Sequence, residues 1–135
     1  MDYKGEFIRT LEREGLKYSD DGEFRVSLKY TADNTNNIKI DVIFDKDGDG
    51  LVALRCWSFG RCPNGKRAAL LEACNKLNTE YRWVKFYIDD DEDITAALDA
   101  VVDIDTVGDE CVQLVRRMVN IYDDAYPTLM RASWA

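Results

Sequence analysis

The chain has 135 residues, 46% of them apolar, no histidine, and a net charge of −8 from 18 Lys and Arg against 26 Asp and Glu. That length fits one domain over residues 1–135, large enough to bury a core without crosslinks. The carboxylate excess and scattered basic residues argue against nucleic acid or an anionic membrane as partner, no apolar run is long enough to span a bilayer, and the missing histidine removes the commonest general base.

Residues 3–14 place Tyr3, Phe7 and Leu11 on one helical face, with Asp2 able to cap the start and Gly15 the end. The first residues lack the basic-then-apolar layout of a signal peptide, so the chain is expected to be complete and cytoplasmic. Phe24, Val26, Leu28 and Tyr30 alternate with polar residues, which predicts a half-buried strand. Residues 32–37 are rich in Asn and Asp and predict a turn. Ile38, Ile40, Val42 and Phe44 alternate again. An Asp- and Gly-rich turn over 45–50 then leads to a strand over 51–57, which makes a hairpin. Residues 58–65 read as a loop, with Asn64 a candidate cap for the next helix.

Leu70, Cys74, Leu77 and Tyr81 stripe that helix, which is expected to close on Asn75-Lys76-Leu77-Asn78. Strands over 82–88 and 94–102 follow as a second hairpin around the acidic turn 89–93. Thr106 and Asp109 form a weak capping box for the last helix, whose stripe includes Val107, Cys111, Val115, Met118, Tyr122 and Leu129. Pro127 predicts a kink or helix end near Tyr126, and 131–135 a frayed tail. The order is α-β-β-β-α-β-β-α. It implies an α+β fold with one mainly antiparallel five-stranded sheet and helices on one face.

The helix end Cys74-Asn75-Lys76-Leu77-Asn78, the aromatic strand Trp83-Val84-Lys85-Phe86, the acidic turn after it, and Asp123-Ala125-Tyr126-Pro127-Leu129-Met130 in the last helix together resemble the YbjN family of bacterial sensory transduction regulators. The resemblance is best over residues 70–102. It implies a fold similar to type III secretion chaperones, no catalytic residues, no cofactor, and a regulatory or interaction role, often as a homodimer.

Asp45, Asp47 and Asp49 match the opening of a calcium loop, but its twelfth position is Cys56 and the flanks are strands, so a hairpin turn is the expected reading and no metal site is assigned. The alternative function is a sensor of a small molecule or divalent cation that uses the acidic turns. Whether those turns share one end of the sheet depends on topology. Cys56, Cys62, Cys74 and Cys111 are expected to be reduced, and Cys62, in the loop, the most reactive.

One sheet face carries Val52, Leu54, Cys56, Val84, Phe86 and Ile88, which suits a core. The other carries Ile43, Leu51, Ala53, Trp57, Trp83, Tyr87 and Val101, too apolar for a fully solvated face. Either a chain segment covers it or it is an interface. Val112 and Val119 widen the apolar arc of the last helix, which suits contact with a second copy or deep burial. Trp57, Trp83, Tyr87, Val112 and Val119 are therefore the candidate residues for a dimer or for a protein or peptide partner. Asn75 and Asn78 could bind a ligand, but more simply finish their helix in the left-handed conformation that Asn tolerates.

Overall fold

The structure, a computed structural model, describes residues 2–134. Asp2 accepts the Gly5 N–H at 2.9 Å and starts α1 (Tyr3–Arg13), and Gly15, at φ +70°, follows its end. Phe7 and Leu11 on its inner face are fully buried.

Six strands follow in one sheet: β1 (Ser19–Asp20), β2 (Arg25–Tyr30), β3 (Ile38–Phe44), β4 (Leu51–Arg61), β5 (Lys85–Ile88) and β6 (Asp93–Val101). Every pairing is antiparallel, in the order β1-β2-β3-β4-β6-β5. The strand beyond the expected five is β1, whose two residues are too few for alternation to reveal. β6 lies between β4 and β5, so those two strands run parallel across it. The acidic turns at 45–50 and 89–92 therefore sit at opposite ends of the sheet, because Leu51 pairs with Val101 and Arg61 with Asp93.

β4 runs through the segment expected to be a loop. A register shift between Cys56 and Gly60 adds residues to β4 without ending its pairing with β6. Cys56 and Phe59 both pack against the core, while Trp57 between them is exposed. Phe59 meets Tyr126 of the last helix at 5.7 Å between ring centroids. A strand that reverses its inside and outside faces loses the period-2 signal, so the sequence reads as loop there.

α2 (Arg67–Glu80) starts from Lys66 without a side-chain cap, so Asn64 does not cap it. Nor does the helix stop at Asn78. Asn78 stays helical, accepts the Phe86 N–H at 2.7 Å and donates to the Phe86 carbonyl at 3.0 Å. Its carboxamide thus pairs with the outer edge of β5 as a neighbouring strand would, and α2 covers that edge.

α3 (Val107–Trp134) runs 28 residues with Pro127 inside it, so neither a helix end at Tyr126 nor a frayed tail over 131–134 is found; Ala135 lies outside the described residues. A proline removes the N–H that would bond the carbonyl four residues earlier, here Asp123. Asn34, in the β2–β3 turn, donates to that carbonyl at 3.0 Å. The Asp123 carboxylate accepts the backbone N–H of Asn34 at 2.8 Å and of Thr35 at 3.2 Å. The helix continues because the turn supplies the missing donor. At its start Glu110, rather than Asp109, reaches back to Thr106, while Asp109 pairs with Arg13 of α1.

The core lies between the sheet and the three helices. Inward residues include Val26, Ile40, Leu54, Phe86, Ile94 and Leu98. α1 crosses α3 at Gly108, where a Cβ would come within 1.8 Å of Thr10 Oγ1. All three helices therefore occupy one face of the sheet, as the order of elements implies.

Candidate interaction surface

Strand register assigns the opposite face residue by residue. Arg25, Ile43, Ala53 and Asp99 form one cross-strand row, and Ser27, Asp41, Arg55, Ala97 and Lys85 the next. Leu51 opposite Val101 closes one end of the face. Trp57, and Tyr87 opposite Thr95, stand at the other.

The centre of this face is polar and closed. Asp41 is 3% exposed and accepts the Ser27 hydroxyl at 2.6 Å. Arg25 and Lys39 stand 3.5 and 3.8 Å from its carboxylate, and the Arg25 guanidinium lies 5.9 Å from the centre of the Trp57 ring. Arg55 reaches Asp99 at 2.8 Å. A buried carboxylate needs such partners. In the sequence Asp41 reads as an ordinary solvent-facing residue of the alternation Ile38-Lys39-Ile40-Asp41-Val42, so nothing there signals this buried cluster.

The two ends expose large apolar side chains. Leu51, Trp57 and Tyr87 are exposed, and Val101 is 73% exposed. Beside Leu51 and Val101 the surface sinks into a groove of about 350 Å³ lined by Ile43, Leu51, Ala53 and Asp99. No helix among the described residues packs on this face.

The candidate residues divide three ways. Trp57 and Tyr87 share the outer face, separated by β6. Trp83 precedes β5 and instead lies near α3, 46% exposed, with the Arg117 guanidinium 5.3 Å from its ring centre. Val112 and Val119 are 5% and 8% exposed within this one chain. They lie on the α3 stripe between Gly108, against α1, and Asp123, against the β2–β3 turn, which is the deep-burial reading of their spacing.

The remaining polar clusters are used structurally. In the β3–β4 turn Asp49 accepts the Leu51 N–H at 3.1 Å, and Asp45 exchanges backbone bonds with Gly48 and Leu51. In the β5–β6 turn the Asp89 carboxylate accepts Asp91 N–H, Asp93 N–H and the Thr95 hydroxyl at 2.9 to 3.0 Å. Those backbone bonds hold its pKa below the usual carboxylate range. The turns lie at opposite ends, so no ion can bridge them. Among the described residues no three Cys, Asp or Glu side chains converge as metal ligands.

All four cysteines are free and buried, including Cys62, which therefore does not lie in an exposed loop. Burial pushes the Cys74 thiol up to about 11 and Cys111 up to about 12. Tyr122 is buried with no hydrogen-bond partner for its hydroxyl, and burial raises its pKa.

Comparison with known proteins matches residues 6–130 to the family model YbjN, described as "Putative bacterial sensory transduction regulator". Among solved structures the chain is similar to one from the heterodimeric ExoU–SpcU complex of the type III secretion system of Pseudomonas aeruginosa. That match has 14% identity and a TM-score of 0.59, over 93% of this chain and 96% of that one. It is also similar to YbjN of E. coli, described as "a putative transcription regulator", at 15% identity and a TM-score of 0.61, over 91% of this chain and 86% of that one. At these identities the likeness is one of fold. No curated protein matches the chain.

Proposed function

This chain belongs to the YbjN family, and from that premise we propose that it is a non-catalytic regulator that acts in the bacterial cytoplasm by binding a protein or peptide, as a homodimer. The observation that carries this reading is the outer face of the sheet. Three helices cover one side, and the other exposes Leu51, Trp57, Tyr87 and Val101 around a closed polar centre. Clustered exposed aromatics of this kind mark interaction surfaces.

Catalysis has little support in the side chains present. There is no histidine, Asp49 and Asp89 bond the backbones of their own turns, and Cys74 and Cys111 are neutral thiols at neutral pH.

A dimer would bury about 800 Å² per partner. The Trp57 and Tyr87 end of the sheet is our candidate for that contact, with Trp83 as the separate alternative beside α3. Val112 and Val119 contribute through the core, so a charge there would test folding and not assembly.

Light scattering on wild type, Trp57→Glu, Tyr87→Glu and Trp83→Glu tests assembly. We expect a dimeric wild type and at least one folded monomeric variant with unchanged circular dichroism. A wild type that stays monomeric at high micromolar concentration sinks the dimer. Partner binding is tested in cells with a photo-crosslinking residue at Trp57 or Tyr87, and at Leu71 on the exposed side of α2 as control. The same polypeptide captured equally from Leu71 would defeat the assignment to the outer face.

A further inference from the structure

β5 is shorter than the strand it pairs with, and that leaves part of β6 uncovered. β6 pairs with β4 along its whole length, but with β5 only from Ile94 to Ala97. The direction of the remaining backbone groups follows from two bonds. Val102 N–H meets the Gly50 carbonyl, which points the even-numbered residues of β6 toward β4. Phe86 turns both its N–H and its C=O to Asn78, so its neighbours Lys85 and Tyr87 face β6 at Ala97 and Thr95. Continuing that alternation, Asp99 and Val101 direct two N–H and two C=O groups away from β4, past the start of β5. Trp83 is next in register, yet it makes no backbone bond to Asp99 among the described residues, because the chain there is already turning up from α2.

Both sides of this bare edge are grooved. On the outer face it borders the apolar hollow beside Leu51 and Ala53. On the helix side lies a second groove of about 250 Å³ lined by Trp83, Val101, Val102, Gln113, Leu114 and Arg117. A strand laid along the edge would send successive side chains alternately into the two grooves. Backbone bonds would supply affinity and the grooves selectivity.

The surrounding charge chooses the occupant. Asp99, Asp103 and Glu110 rim the edge; Asp99 is paired with Arg55 and Arg117 is stacked over Trp83, so carboxylates still outnumber the cations there, and the chain carries a net −8. A second copy would bring the same acidic rim against itself. A segment alternating basic and apolar residues meets both the grooves and the charge.

We propose that the β6 edge at Asp99–Val101 is a strand-addition site for an extended basic and apolar peptide segment of another protein. This deepens the protein-binding reading above and rests on it, but places the contact at the opposite end of the sheet from Trp57 and Tyr87.

The test uses acetylated, amidated hexapeptides that alternate Lys with Val or Leu. Counterparts carry Glu for Lys, or N-methyl groups on alternate backbone nitrogens. Binding is followed by backbone amide shifts of the isotope-labelled protein and by tryptophan fluorescence. The Lys peptides are expected to shift Asp99 and Val101, and the Glu peptides to leave them unmoved. N-methylation on the bonding side should weaken binding by about tenfold, the loss of one or two hydrogen bonds. Val101→Pro should do the same while leaving the fold intact, since proline is tolerated where an edge N–H is unbonded. Trp83→Ala should weaken binding of the Leu peptides most.

Binding indifferent to N-methylation overturns strand addition. Shifts confined to Trp57 and Tyr87 overturn this site while leaving the protein-binding reading standing. Self-association abolished by Val101→Pro, without a response to any peptide, assigns the edge to a second copy and overturns the proposal. No response to any peptide at millimolar concentration, in a wild type that does not self-associate, overturns it as well, and the in-cell crosslinking then decides the broader reading separately.

Discussion

Phe86 and Tyr87 are neighbours on β5, one 1% exposed and the other 42%. Phe86 lies against the helical layer, with its backbone tied to Asn78 of α2. Tyr87 faces away from every helix. The whole sheet repeats that contrast. Its helical face is apolar from β2 across to β5 and closed by three helices. Its outer face buries a polar cluster, Asp41 and Ser27, at the centre and exposes large apolar side chains at both ends. A face designed for water alone would reverse that arrangement. The helical face accounts for stability, and the outer face is where binding has room.

Mutating those two neighbours should separate the roles most sharply. Phe86→Ala leaves a cavity in the core and is expected to cost about 3–5 kcal/mol. Tyr87→Ala should change stability by no more than ~0.5 kcal/mol. Urea unfolding of both measures the difference, and equal losses would mean that the outer face is covered after all.

Asp41→Ala breaks the one closed spot on the outer face. It removes the acceptor of Ser27 and the counter-charge of Arg25 and Lys39, with an expected loss of about 1–3 kcal/mol. Ser27→Ala in the Asp41→Ala background should then cost little further, and a fully additive double mutant would show that the two residues do not act together.

On the helical side, Asn34→Ala leaves the Asp123 carbonyl freed by Pro127 without a donor. About 1–2 kcal/mol should be lost. In the Pro127→Ala background that loss should shrink, because the helix recovers its own N–H. An unchanged loss would separate Asn34 from the proline.

Tyr122→Phe goes the other way. Removing a buried hydroxyl that has no partner should stabilise by about 1 kcal/mol. A destabilised variant would show that the hydroxyl has a use in solution.

The smallest expected effect is at the acidic turn on the outer end of β5. The pKa of Asp89 is lowered by backbone hydrogen bonds made only when folded. Its contribution is therefore present above the unfolded carboxylate pKa and lost as pH falls through the folded value. Asp89→Asn should flatten the acid limb of the stability curve by slightly lowering stability at neutral pH, where the carboxylate's contribution is present, while leaving stability at strongly acid pH unchanged. An unaltered acid limb would argue that the turn is not held by its carboxylate.

Much of this was legible in the chain because local physics sets it. Period-2 and period-4 apolar spacing located the long strands and helices, Asp2 and Gly15 bounded α1, and the order of elements implied helices on one face. Val112 and Val119 were legible only as a wide apolar arc, since burial and a partner leave the same mark on a helix. Where elements failed to show, two distant parts of the chain were acting at once. The bulge in β4 reverses its alternation. Pro127 reads as a stop because its missing donor is supplied by Asn34, far away in sequence. Asn78 reads as a helix end because its true partner is the edge of β5.

The sequence by itself determined the α+β class, the identity of the core stripes and the apolar excess on the outer face, because each follows from side-chain chemistry at fixed helical or strand spacing. Only the tertiary structure decided that β6 inserts between β4 and β5, that the acidic turns stand at opposite ends, that Trp83 leaves the sheet for Arg117, and that β6 ends in an open edge. Those depend on which strands pair and where pairing stops, and backbone hydrogen bonds between strands carry no residue code of their own.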